Sequence, residues 1–229
     1  MAKPRGCEHQ GLAPFGFLFD PPLGGLDFSD DLAFALGRSG GLMHDLGDDS
    51  ADAAVPAGYT FFAQFLDHDV TLDTQSQLNE RGQNPEEFKN LRTPTLDLDC
   101  VYGFGPEASP HLYDAGRDGF LITGEPQGRP WDLARTAPGT ALIGDPRNDE
   151  NLFVGQMQLL WIRFHNAMML ANMGAGNTPG HRFEEVQKQV RYHYQYIVLY
   201  DFLRRVCHPA TYEHAIGLIE AEAEARRAG

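Results

Sequence analysis

A histidine set between two acids on an otherwise apolar helix constrains this fold more than any other feature of the sequence. Asp67-His68-Asp69 lies within the run FFAQFLDHDVTLD, from Phe61 to Asp73. Successive helical side chains leave the axis about 100° apart, so the three polar groups point three ways and do not pool into one patch. Phe61, Phe62, Phe65 and Leu66 supply enough apolar surface to bury much of the segment, and Gln64, four residues before His68, shares its face. Two readings stand at this point: an active-site helix, or a core helix with an exposed polar tip.

A second segment, RTPTLDLDCVYG from Arg92 to Gly103, carries Thr93, Thr95, Asp97 and Asp99 at every second position, with Leu96 and Leu98 between. In an extended chain all four oxygen-bearing residues face one side. Gathered oxygens with two or three carboxylates suit a hard cation such as calcium, and Asp69 could close the cage. The plainer alternative is a half-buried strand with a polar outer face. In a third segment, from Ala141 to Met169, Asp145-Pro146 ends one element and Asp149 and Glu150 mark a helix start, where acids belong. Arg147 is near enough in sequence to Glu150 for both to address one ligand. An ordinary helix entry would carry the same pattern.

Taken in order, these segments resemble the haem peroxidase superfamily that includes myeloperoxidase, lactoperoxidase and the cyclooxygenases. The resemblance runs from about Phe61 to Asp201 and also covers WDLART, from Trp131 to Thr136, and the helix bearing RFHN. It implies a mainly α, peroxidase-like helical fold with long irregular loops and little β. It implies haem b and calcium as cofactors. His68 and Arg147 correspond to the distal histidine and arginine, and Gln64 to the glutamine that orients peroxide or halide. Asp67 and Glu150 correspond to the carboxylates that form esters to haem in mammalian members. Asp69, Thr93, Thr95 (through its backbone carbonyl), Asp97 and Asp99 correspond to the calcium site.

The implied activity is reduction of hydrogen peroxide with oxidation of a halide or small organic donor. Peroxide must lose a proton from one oxygen and gain one on the other, which a neutral imidazole can do. A guanidinium, protonated at any working pH, stabilises charge on the departing oxygen. Two acids beside His68 favour its imidazolium form, and calcium on Asp69 with an ester at Asp67 would remove that negative charge. A fatty-acid dioxygenase shares the same distal motifs, and a calcium- or haem-binding remnant without turnover is the third reading. The family's proximal histidine segment, similar to YRxGHS, has no match among the nine histidines. The expectation is therefore a single partial domain over residues 1–229, with a loop-rich arm over 1–55 and the distal half of the catalytic core over 56–229. A second chain supplying the proximal half, or self-association, is the implied partner.

Hydrophobic content of 42% is enough for a core, and a net charge of −14 argues against nucleic acid or an anionic membrane surface. Cys7, Cys100 and Cys207 have no CxxC spacing, so neither a disulfide framework nor a zinc site is expected. The N-terminus has no uninterrupted apolar stretch, so neither a secretory signal nor a membrane span is expected. Dense Gly and Pro through the first fifty residues and from Gly103 to Gly139 predict loops, with His111 and His181 in such connections. The spacing predicts helices from Asp149 to about Met173, from His181 to about Val206, and from Thr211 to Arg226. In the first of these, Leu152, Phe153, Gln156, Leu159, Leu160, Phe164 and Met168 are expected inward. In the second, Tyr192, Tyr196, Ile197, Tyr200 and Leu203 are expected in the core or facing a subunit. The one strand expected is the extended acid loop.

Overall fold

Helices and irregular loops account for nearly all of the residues that the computed structural model describes, 14–16, 29–44, 55–75, 84–174 and 178–228. Cys7 and His9 lie outside these described residues. Within the Gly- and Pro-dense arm, where loops are expected, α1 spans Asp30–Gly37, with the Ser29 hydroxyl accepting from the Leu32 N–H as an N-cap. None of its residues is buried. The helix bearing the acid-histidine-acid triplet, α2, spans Gly58–Val70.

The long apolar helix α4 spans Leu152–Ala171, and its start differs from expectation. Asp149 and Glu150 are not in its first turn. They close a 3-10 turn over Pro146–Asp149, and the N-cap is Asn151, whose side chain accepts from Val154 N at 3.1 Å. The inward face also differs. Leu152, Phe153 and Leu160 are exposed, whereas Val154, Gln158, Leu159, Trp161, Ile162, His165 and Met169 are buried. The helix is apolar nearly all round, so periodicity alone does not select a face, and the neighbouring helices decide it.

The next predicted helix is divided. α5 spans Pro179–Ile197, opened by Thr178 as N-cap and Pro179 in its first turn. A π-helical turn follows over Val198–Phe202, and α6 covers Leu203–Val206. His181 is thus helical, not in a connection. Tyr192 and Tyr196 are exposed, and the tyrosine in the core is Tyr194. Ile197 and Leu203 pack against the core, as expected. The last helix, α7, spans Pro209–Ala228. Among the described residues no helix is long and apolar enough to cross a membrane.

The core sits where α2, α4 and α5 meet. Phe65, Trp161 and Tyr194 pack edge-on, with the Tyr194 ring 6.2 Å from Phe65 and 5.4 Å from Trp161. Fully burying side chains of this size is worth about 1.5–3 kcal/mol each. Phe61 stacks on Phe153 at 4.4 Å, and Tyr59 donates to Asp201 on the π turn at 2.5 Å. The region between Gly103 and Gly139 is loop, as predicted, with short 3-10 turns at Pro110–Leu112 and Glu125–Gln127. It is fastened to the helices by polar side chains. Asn166 pairs with both backbone groups of Leu121, and Arg135 of the WDLART segment binds Asp132 and Asp149 together. His165, read as structural, is buried between the Tyr102 hydroxyl and the Gly119 carbonyl.

No strand forms in the acid loop. Leu96 and Leu98 have φ of 55° and 60°, and Asp99 begins a short helix, α3, over Asp99–Tyr102. The left-handed conformation costs a branched residue about 1–2 kcal/mol, so an alternating sequence is held in a bent loop by its surroundings. Among the described residues β pairing is limited to isolated bridges, such as Tyr113 with Leu121 and Arg135 with Ala141. Cys100, beside the loop, is buried and unpaired, and Cys207 is also free.

Candidate functional site

Three polar residues from distant parts of the chain meet in the core beside α2 and determine the state of its histidine. His68 Nδ1 lies 2.7 Å from Asn148 Oδ1. Asn148 Nδ2 donates to Gln158 Oε1 at 2.8 Å, and Gln158 Nε2 donates to the Cys100 carbonyl at 3.0 Å. A carbonyl only accepts, so the orientation of each amide in this chain follows from its end. The Asn148 oxygen must therefore face His68, and His68 Nδ1 carries the proton. In the neutral imidazole it is then Nε2 that keeps the lone pair. His68 is 6% exposed, and Asn148 and Gln158 are fully buried, so water does not compete for these bonds. Neither amide residue stands out in the sequence. Asn148 sits within the GDPRNDEN run, but Gln158 is one polar residue on an apolar helix, and it carries no local signal.

Arg147 follows from the same 3-10 turn. Its Nε and Nη2 bind the two oxygens of Asp145 at 3.0 and 2.8 Å, and Nη2 also donates to the carbonyls of His68 and Thr71. Arg147 thereby closes the C-terminal end of α2, where carbonyls lack helical partners. Asp145 is fully buried and also receives Arg92 through Nε and Nη2, at 3.2 and 2.5 Å. Burial alone would raise its carboxyl, but the hydrogen bonds from Arg147 and Arg92 outweigh that and hold it below the usual range. Gly144 makes this placement possible: a Cβ there would lie 2.6 Å from the Cys100 carbonyl oxygen. Asp145 thus joins the arginine that precedes the acid loop to the arginine beside His68.

Asp67, Glu150 and Gln64 are the remaining residues expected around a haem. Asp67 and Glu150 are exposed, and both act on the Arg147 charge. Asp67 accepts from the Thr71 hydroxyl at 3.0 Å. Gln64, half-buried, accepts from Asn151 Nδ2 at 3.2 Å, which ties α2 to the start of α4.

The five residues expected at calcium converge without forming a closed set of ligands. The Thr93 hydroxyl lies between two carboxylates, 2.7 Å from Asp97 Oδ2 and 3.0 Å from Asp99 Oδ2. The Thr95 hydroxyl donates to the same Asp97 oxygen at 3.0 Å. Asp69 is fully buried and takes the Leu98 N–H on Oδ2. Among the described residues no three His, Cys, Asp or Glu side chains are gathered closely enough to hold one metal ion as they stand. Yet Oδ1 of Asp69 and Oδ1 of Asp97 are buried with no hydrogen bond. Burial, then the neighbouring Asp97, pushes Asp69 up to about 6, and the same two causes raise Asp99. Negative charge and lone pairs are in excess here over the donors that meet them.

The sequence model of the animal haem peroxidase family matches residues 73–222. Thyroid peroxidase of Canis lupus familiaris is 27% identical over an alignment of 168 residues that covers 62% of this chain and 18% of that protein. Among solved structures, a fatty acid alpha-dioxygenase of Arabidopsis thaliana aligns with a TM-score of 0.51 at 18% identity, over 65% of this chain and 27% of that one. The chain therefore spans well under a third of the length of either protein, and the likeness to the second is one of fold.

Proposed function

This chain belongs to the animal haem peroxidase family, and from that premise we propose that its α2 region is the peroxide-handling side of a haem-dependent peroxidase acting on a halide or small organic donor. The observation that carries the reading is the chain from Cys100 through Gln158 and Asn148, which holds the His68 ring by Nδ1 and, in the neutral form, makes Nε2 the basic nitrogen. The donor set suits a haem: an imidazole held by Nδ1, an adjacent guanidinium, and two exposed carboxylates, Asp67 and Glu150, to which an ester can form. Haem, when bound, supplies the iron that takes up peroxide oxygen and the electrons that break the O–O bond.

His68 Nε2 takes the proton of hydrogen peroxide and returns it to the oxygen that leaves. Arg147 offers its remaining N–H groups to the negative charge on that oxygen, and Asp145 keeps the guanidinium from swinging away. Gln64 orients the small anion or peroxide alongside. Asp69, Asp97 and Asp99, with Thr93 and the backbone carbonyl of Thr95, would hold calcium. The unpaired oxygens of Asp69 and Asp97 support that assignment, because a hard cation takes such oxygens as ligands.

The test is haem titration of the 229-residue chain with calcium present, followed by peroxide and a chromogenic donor. The expected result is a shifted Soret band and donor oxidation that falls about 10²–10⁴-fold in His68→Ala. Undiminished oxidation in that variant overturns the acid-base role of His68. Oxygen uptake with a polyunsaturated fatty acid would replace peroxidation with dioxygenation. Free-haem behaviour would leave a calcium-binding remnant.

A further inference from the structure

A third unpaired oxygen lies in the core beside the acid loop: the hydroxyl of Tyr194, fully buried and without a hydrogen bond, like Oδ1 of Asp69 and Oδ1 of Asp97. A buried phenol nearly always has a partner, because leaving one unpaired costs about 1–3 kcal/mol. One potential donor therefore stands near two orphaned acceptors.

The backbone around it explains the placement. Three residues before Tyr194, Arg191 Nε donates to the Asp97 carbonyl at 2.6 Å. One residue after it, Gln195 Nε2 donates to the Leu96 carbonyl at 3.2 Å. α5 thus grips the acid loop on both sides of Tyr194. The Tyr194 ring meets Phe65 edge-on, and Phe65 is one helical turn before Asp69, so the ring lies against the face of α2 that presents Asp69. Asp69 acts on the phenol through both its charge and a hydrogen-bond-like approach, so the hydroxyl stands close to that carboxylate without reaching the geometry of a formed hydrogen bond.

We infer that Tyr194 is a positioning residue of the cation site. With calcium seated in the loop, Asp69 Oδ1 takes the cation on one lone pair and the Tyr194 O–H on the other, while Leu98 N–H holds Oδ2. The inference rests on the reading of Asp69, Asp97 and Asp99 as cation ligands. Carboxylate ligands are commonly oriented by such outer hydrogen bonds, whose loss weakens metal binding about 10–100-fold.

The experiment is calorimetric titration of the 229-residue chain and its Tyr194→Phe variant with calcium, together with thermal melts of both in chelator. The variant is expected to bind calcium about 10–100-fold more weakly. In chelator it should melt no lower than the parent, because the hydroxyl removed had no partner. An unchanged affinity overturns the inference, and so does a variant that loses stability and affinity in parallel, as simple core damage would produce. Should the parent itself bind no calcium, the cation-site reading fails and this inference fails with it. A second measurement needs no variant: calcium should shift the near-ultraviolet tyrosine absorbance of the parent as a buried phenol begins to donate. A calcium-bound parent with no such shift also overturns the inference.

Discussion

Replacing Gln158 with methionine keeps the length and burial of the side chain while deleting the middle link between Cys100 and Asn148. The Cys100 carbonyl and Asn148 Nδ2 each lose a partner in a place water does not reach. At about 1–3 kcal/mol per orphaned buried group, with Asn148 able to turn in part, the loss should be about 2–4 kcal/mol. For a chain of this size that is a fall of roughly 5–15 °C in the thermal midpoint. The second effect is on His68. Once Gln158 no longer holds the amide, Asn148 can turn its Nδ2 toward His68, and Nδ1 becomes the acceptor. The proton then moves to Nε2, and the base is lost from the side facing peroxide. Nitrogen-15 NMR of the imidazole distinguishes the two tautomers without haem, and thermal melts give the stability term. The reasoning is refuted if the parent carries its proton on Nε2. It is also refuted if the variant changes neither tautomer nor midpoint.

Other expectations follow from the same geometry. Asp145→Asn should destabilise the fold by about 3–5 kcal/mol, read by denaturant melts, because it leaves the largely buried Arg92 and the half-buried Arg147 without their shared charge. His165 is lowered by burial from 6.5 to about 4, so the unfolded chain binds more protons between those values and stability falls as pH drops through that window. The total is about 3 kcal/mol, and His165→Gln should remove that part of the slope in acid-unfolding curves. Asp97→Asn should abolish calcium-dependent stabilisation while leaving the chelator-treated protein at least as stable, since it relieves repulsion with Asp69 and Asp99. A lower midpoint in chelator, with calcium stabilisation retained, would contradict the crowding of charge at this loop.

Much of the site's inventory is legible in order along the chain. His68, Arg147 and the acids of the loop are chemically distinctive, and they stand in short runs whose order identifies the family. Their partners are not legible in the same way. Gln158 lies ten residues from Asn148 and 90 from His68, and Tyr194 is one of several aromatics on α5, of which the spacing singles out Tyr192 and Tyr196, both outside the core. The face of α4 is hidden for a related reason: a helix with apolar residues on every side offers no contrast to read.

By itself the sequence determined what local interactions control. These include the presence of the long helices, the helical state of the DHD segment, and the chemical character of each candidate residue. Only the tertiary structure decided the bent path of Thr93–Asp99, the buried face of α4, the protonated nitrogen of His68 and the position of Tyr194 against Asp69. The physical reason is range. Helix caps and turns are settled within about four residues by backbone hydrogen bonding. A buried polar group must instead find its partner wherever packing brings one, at any separation along the chain.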